Sequence, residues 1–322
     1  MFVKLSCNKI MVNLQCLLQL QIFRMDPFRK GLRKLVHILG GKKILPLKAT
    51  MTLLHSIDLC RIPDIKDPKD LNEKLMWMEF NTDTSLWARL ADKHEVRKYV
   101  EEKNFKDILI PSFGVFNEFE EIDFSLLPDS FVVKSTNGCG QTVIITDGSR
   151  LNKNKLQKTI NSWLQSRYGF TSGERHYTDI KPRIIIEELL PLRDGRLPVD
   201  YKFYCFNGSV DYCLIVSDRK ILKEEYKLNL FGIPDWKEIE NALLPVYKGN
   251  FSNLPNPEAL GKMVDIASKL SEGHPFVRID LYEIEGKIYF GEMTFTPAAC
   301  RTPYISKEYL IKMGEKVKLN TI

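Results

Sequence analysis

The chain has 322 residues, a formal net charge of +6, 44% hydrophobic and 27% charged residues. That balance describes a folded globular chain of one large or two smaller domains, without linker, low-complexity tract or internal repeat. The mild positive charge suits an anionic ligand or a membrane surface and excludes a strongly basic nucleic-acid binder. The seven cysteines (Cys7, Cys16, Cys60, Cys139, Cys205, Cys213, Cys300) show no CxxC spacing. This excludes a zinc ribbon or disulfide framework and fits reduced thiols in a cytoplasmic protein. The five histidines form no HExxH pair and read as structural or surface residues.

The first stretch, "IMVNLQCLLQLQIF", is apolar but short and broken by Asn and Gln. It cannot span a bilayer and has no small-residue cleavage site. Met25 is an alternative start, with the preceding residues an upstream extension. "DPFRKGLRKLVHILGGKK" then reads as a basic amphipathic helix, packed on the main domain or touching a membrane surface, with packing favoured. We divide the chain into an N-terminal extension with this helix, residues 1–60, and a main domain, residues 61–322.

Residues 25–90 are expected to be mainly helical. "DPKDLNEKLMWMEF" has an Asp or Asn start signal and a stripe of Leu71, Leu75, Met76 and Met78. "WARLADKHEVRKYVEEK" is a second helical region, with Asp92 a cap and Lys93 on a helix four residues before Arg97. "ILIPSFGVF" contains a strand. "LPDSFVVKSTNGCGQTVIIT" is strand, glycine-bearing turn, strand, followed by a polar helix over 151–168. "RIIIEELL" is a buried strand, and "DYKFYCFNGSVDYCLIV" is a hairpin turning at Asn207-Gly208. "EALGKMVDIASKLSEG" is an amphipathic helix ending at Gly273. The order predicts an α+β fold with antiparallel hairpins. No GxGxxG or GxxxxGK[ST] sequence occurs, so neither a Rossmann nor a P-loop site is supported.

The last hairpin, "VRIDLYEIEGKIYFGEMTF", places charges inside an apolar alternation. A three-residue loop, Ile284-Glu285-Gly286, pairs 283 with 287, 280 with 290 and 278 with 292. One face then carries Arg278, Asp280, Glu292 and Thr294. The other carries Val277, Ile279, Leu281, Tyr289, Met293 and Phe295. A two-residue turn would put Asp280 and Glu292 on opposite faces. The polar face suits a shared Mg²⁺, or equally a solvated Arg–Glu pair.

Four further features are each open to a plain reading. Lys134 precedes the Gly138-x-Gly140 turn, whose backbone N–H groups suit phosphate or which is simply a hairpin turn. Lys93 suits an anion or a solvated helix face. Glu187 and Glu188 end an apolar strand, like a hinge on an adenine edge or a strand reaching solvent. Lys202 shares a strand face with Asp200, as a phosphate clamp or half of an ion pair.

Taken in order, these elements resemble the ATP-grasp superfamily. "DPKDLNEKLMWMEF", "LADKHEVRKYV", "LPDSFVVKSTNGCGQ", "KPRIIIEELL", "DYKFYCFNG", "VSDR" and "VRIDLYEIEGKIYFGEMTFTPAA" are similar to its teichuronopeptide-biosynthesis (TupA-like) branch, over about residues 60–300. The resemblance implies ATP between two α+β subdomains, under a flap containing Gly138 and Gly140. It implies phosphate contacts from Lys93 and Lys134, and Glu187, Glu188 and Leu190 beside adenine and ribose. Lys202 would touch the terminal phosphate, Asp280 and Glu292 would bind Mg²⁺, and Arg278 would stabilise the transferring phosphoryl group. Thr294 stands where many ATP-grasp enzymes have Asn, which puts a second metal ion in doubt. The implied activity is a carboxylate–amine ligase of surface-polysaccharide assembly, joining small-molecule amine and carboxylate substrates on an acidic glycan precursor. It would be cytoplasmic, with peripheral contact to the inner membrane face if the acceptor is lipid-linked. A glycosyltransferase and a sugar kinase on the same fold are the alternatives. Arg219, Arg301 and "SGERHYTDI" are expected near the acceptor.

Overall fold

A computed structural model describes residues 27–221, 226–251 and 257–319. Met25 and the apolar stretch before it lie outside them. The described residues form two antiparallel sheets with helices on both, in agreement with the α+β expectation.

The smaller sheet has the order β1-β4-β2-β3, built from β1 (Ser112–Phe116), β2 (Phe131–Ser135), β3 (Thr142–Ile145) and β4 (Ile184–Glu188). Its alternate side chains Phe131, Val133, Ile184 and Ile186 meet Leu156 and Ile160 of the helix Lys153–Leu164. That helix is shorter than the sequence suggests. Asn152 caps it by accepting from Lys155 N at 2.9 Å.

The larger sheet runs β10-β9-β5-β6-β7-β8: β5 (Asp200–Phe206), β6 (Ser209–Ser217), β7 (Lys227–Gly232), β8 (Lys237–Glu238), β9 (Phe276–Ile284) and β10 (Lys287–Thr294). Phe203, Ile279 and Leu281 pack with Leu75, Met263, Leu270 and Met313 in the main core. The β5–β6 turn falls at Asn207-Gly208 as expected, both with positive φ. The helix Leu71–Asn81 starts with a capping box, Asp70 and Glu73 each accepting from the other's backbone N–H.

Two expectations fail in an instructive way. The helical region around Lys93 is two helices, Ser85–Ala91 and Glu95–Glu102, and Lys93 sits in the turn between them. Asp92 breaks the run, because its carboxylate accepts from His94 N at 2.8 Å and Glu95 N at 3.3 Å. In the last hairpin the loop has two residues, not three. Glu285 and Gly286 both take positive φ, and Ile284 pairs with Lys287. A strict ladder from that turn would separate the two acids, but a β-bulge between Phe290 and Glu292 absorbs Gly291. Phe290 pairs with Leu281 and Glu292 with Asp280, so the acids share a face after all. The pairings expected for 278 and 280 move by two residues, and Ile288 and Phe290 join the core instead of Tyr289. A Cβ on Gly291 would lie 3.0 Å from the Asp280 carbonyl oxygen, so glycine suits this close approach.

The helices Pro27–Gly41 and Leu47–Leu59 bury Val36, Leu54 and Ile57 against one another and pack on the short helix Tyr168–Ser172. The basic helix therefore packs on the main body by one face. His55 is fully buried, with Nδ1 2.8 Å from the Cys300 carbonyl oxygen, and burial holds its pKa down at about 4. A depressed imidazole favours the neutral form in the fold. Its stabilisation is complete above pH 6.5 and is lost as pH falls toward 4, a change of about 3 kcal/mol. Thermal melts at pH 7.5 and 4.5 should show a smaller acid-induced drop for His55→Asn, whose amide can keep the bond to Cys300 without titrating.

Candidate active site

Three rows cross the large sheet, one side chain per strand. In the first, Tyr204 of β5 faces Arg278 of β9, which faces Thr294 of β10. In the second, Lys202 faces Asp280, which faces Glu292. In the third, Asp200 faces Tyr282. Period-two alternation on paired strands gathers these groups on one face without any local sequence proximity.

The rows are tied by charge. Arg278 grips Asp280 through Nε at 2.6 Å and Nη2 at 2.7 Å, and reaches Glu292 at 2.9 Å and the Thr294 hydroxyl at 3.1 Å. The Thr294 hydroxyl donates to Glu292 at 3.0 Å. The Lys202 ammonium contacts Asp280 and lies 2.7 Å from Asp200. Arg219, just past β6, stands 3.5 Å from Asp200. The two central acids are held differently. Burial pushes Asp280 up to about 6 against the pull of Arg278 and Lys202. Burial also acts on Glu292, but Arg278, Lys202 and Lys93 outweigh it and bring it down to about 2. Its side chain is 38% exposed, so solvent screens part of that pull. Burial opposes the charge on Lys202, yet Asp200 and Asp280 hold its pKa above the ordinary value.

The smaller sheet supplies the other wall of a cleft of about 200 Å³. Glu187 of β4 accepts from Lys134 Nζ at 2.7 Å and from Arg97 Nη1 at 3.1 Å. Burial works against Lys134, but Glu187 keeps its ammonium above the usual range. Lys93 donates to the Gly138 carbonyl at 2.6 Å, and burial lowers its pKa. Gly140 has φ +72, the left-handed region that favours glycine in this turn.

Lys93, Lys134, Gly140, Glu187, Lys202, Asp280 and Glu292 all line this cleft. Arg278 is buried, bonded to both acids, and Gly138 takes part through its carbonyl. Glu188 is exposed on the alternate position of β4, and Leu190 is buried just beyond the strand; neither lines the cleft. Arg219 is in the cleft. Arg301 instead pairs with Asp58 at 3.1 Å, and His176 in "SGERHYTDI" is buried against Glu79 at 3.0 Å. Sequence reasoning gave no ligand role to Arg97 or Tyr282, both in the cleft. For Tyr282 the signal was present: it lies two residues from Asp280 on the same strand, hence on the same face.

The cleft carries five cationic side chains, Lys93, Arg97, Lys134, Lys202 and Arg219, against four carboxylates, Glu187, Asp200, Asp280 and Glu292. Among the described residues no three His, Cys, Asp or Glu side chains form a ready metal cage. Mg²⁺ does not need one, since it takes one or two carboxylates and completes its shell with phosphate oxygens and water. The facing pair Asp280 and Glu292 fits that requirement. Asp200 Oδ1, buried and without a hydrogen-bond partner, adds an acceptor beside it.

A family model described as TupA-like ATPgrasp matches residues 73–318. No curated protein matches the sequence. Among solved structures, D-alanine–D-alanine ligase from Bacillus anthracis is similar with TM-score 0.41 and 13% identity, over 71% of this chain and 67% of that one. The same ligase complexed with ATP gives 0.40 and 14%, over 71% and 66%. L-amino acid ligase from Bacillus licheniformis gives 0.42 and 12%, over 80% and 48%. The chain thus spans about two thirds or less of these structures' own lengths.

Proposed function

Because this chain belongs to the TupA-like ATP-grasp family, we propose that it is an ATP- and Mg²⁺-dependent carboxylate–amine ligase of cell-surface polysaccharide assembly. The observation that carries the reading is the row Lys202–Asp280–Glu292, with Arg278 bonded to both acids and Lys93 and Lys134 lining the same cleft.

A substrate carboxylate oxygen attacks the γ-phosphorus of ATP, the bond to the β-phosphate oxygen breaks, and ADP leaves. An amine then attacks the acyl carbon, and phosphate departs as the amide forms and the amine loses a proton. The protein's part is positioning and charge neutralisation, with no covalent nucleophile. Bound Mg²⁺ would neutralise phosphate charge. Asp280 and Glu292 are its ligands in this reading. Both Asp280 oxygens are already engaged by Arg278 and Lys202. The Lys202 ammonium is therefore the group that would exchange its carboxylate for the terminal phosphate. Lys93 and Lys134 hold phosphates, Arg278 stabilises the transferring group, and Glu187, the one of Glu187, Glu188 and Leu190 that lines the cleft, borders adenine and ribose. The excess of cations in the cleft supports anionic substrates, and an acidic glycan precursor bearing the carboxylate fits it. Use of ATP would place the reaction in the cytoplasm. Among the described residues no helix is long and apolar enough to cross a membrane.

The test is to supply Mg·ATP with a uronic-acid glycan and a panel of amino acids, and to follow ADP together with product mass. Stoichiometric ADP, phosphate and amide is the expected result. ADP with a phosphorylated sugar and no amide would replace the ligase with a kinase. Consumption of a nucleotide sugar without ATP would replace it with a glycosyltransferase.

A further inference from the structure

The helix Pro27–Gly41 uses only part of its apolar surface for packing. Val36 and Gly40 face inward, whereas Phe28, Leu35 and Ile38 are 64%, 49% and 44% exposed. Their spacing of seven and three residues puts them on one stripe of a helix. Ile44, 62% exposed, lies three residues past the end of the helix. Four of the nine large exposed hydrophobic side chains among the described residues thus fall within seventeen positions. Scattered exposed apolar residues are ordinary; a contiguous stripe of them marks an interaction surface.

The charge around the stripe identifies the partner. From Pro27 to Ile57 the chain has seven Lys or Arg residues and no Asp or Glu. Lys30, Lys34, Lys42, Lys43 and Lys48 are all exposed. Lys30, Lys34 and Lys42 also line a shallow hollow of about 760 Å³ beside the helix, together with His37 and Ile38. A second copy of this chain would set these lysines against one another in an isologous contact. An anionic bilayer matches both features, because it takes apolar side chains below the headgroups while lysine stems keep their ammonium groups at the phosphate level.

We propose that the exposed face of Pro27–Gly41, continued through Ile44, docks the protein on a bilayer rich in anionic phospholipid. This reading rests on the helix alone and stands apart from the ligase assignment.

Co-sedimentation of the full chain with vesicles tests it. Two vesicle types are used, phosphatidylglycerol with phosphatidylethanolamine and phosphatidylcholine alone, and the first is repeated in 0.5 M salt. The variants are Leu35→Ser/Ile38→Ser and Lys30→Glu/Lys34→Glu, all at exposed positions. The wild type should bind the anionic vesicles, bind phosphatidylcholine about tenfold less, and weaken in salt. Each double variant should lose about tenfold in partitioning with an unchanged melting temperature. No binding to anionic vesicles, or equal binding to both lipids, would overturn the proposal. So would full binding by the Leu35→Ser/Ile38→Ser variant, which would show that charge alone or another face of the protein holds the vesicle.

Discussion

Asp280→Asn is expected to lower turnover by about a thousandfold or more while leaving the melting temperature at pH 7.5 equal to or a few degrees above that of the wild type. The carboxylate is 1% exposed and sits at the centre of the ion network, so a large loss of stability would be the first guess. Two observations oppose that guess. Arg278 keeps Glu292 at 2.9 Å, and Lys202 keeps Asp200 at 2.7 Å, so neither cation is left alone. Burial also raises Asp280 to about 6 despite both cations, so its ionisation disfavours the empty fold. The sign follows from linkage: a carboxyl raised in the folded state costs stability as pH climbs from its unfolded value near 4 through about 6. Asn carries no such cost, and the stability gap between variant and wild type should close toward pH 4. Parallel melts and ADP-release assays check both halves. Near-normal turnover would remove Asp280 from the site, and a collapse of the fold would show that its role is structural.

The Asp280–Glu292 pair also shows where sequence reading reached and where it stopped. Alternation alone put Arg278, Asp280, Glu292 and Thr294 on one face, and that placement holds. The route to it did not. The turn was one residue shorter than expected, and the bulge at Gly291 restored the face. A lone glycine inside a strand is the local sign of such a bulge, and it was legible. Lys93 was misplaced for a similar reason. Helical periodicity continues on both sides of Asp92, while the side-chain bonds that divide the run are short-range and do not alter the apolar pattern. Glu187 and Glu188 differ because adjacent strand residues face opposite ways; periodicity says that only one reaches the cleft, not which. Arg97 meeting Glu187 lies further out of reach, since ninety positions separate them and only the folded chain, in which Arg183 just before β4 bonds to Asp92 and Glu95, brings them together.

Under the proposed function, Glu292→Gln is expected to separate metal binding from nucleotide binding. Glu292 is the more open of the two acids and is held ionised at neutral pH by Arg278, Lys202 and Lys93. In the proposed reading it is the carboxylate that would receive a divalent cation, and glutamine keeps its shape without its charge. In calorimetry with Mg²⁺ present, ATP affinity should fall by about ten- to a hundredfold. With EDTA the expectation reverses. The variant has one negative charge fewer beside the phosphates and leaves Lys93 and Lys134 in place. It should bind free ATP as tightly as the wild type or more tightly. That crossing of the two affinities is what a metal ligand does and what a merely structural acid does not. Equal weakening with and without Mg²⁺ would assign Glu292 to holding Arg278, while unchanged binding in both would move the metal to Asp280 and Asp200 alone.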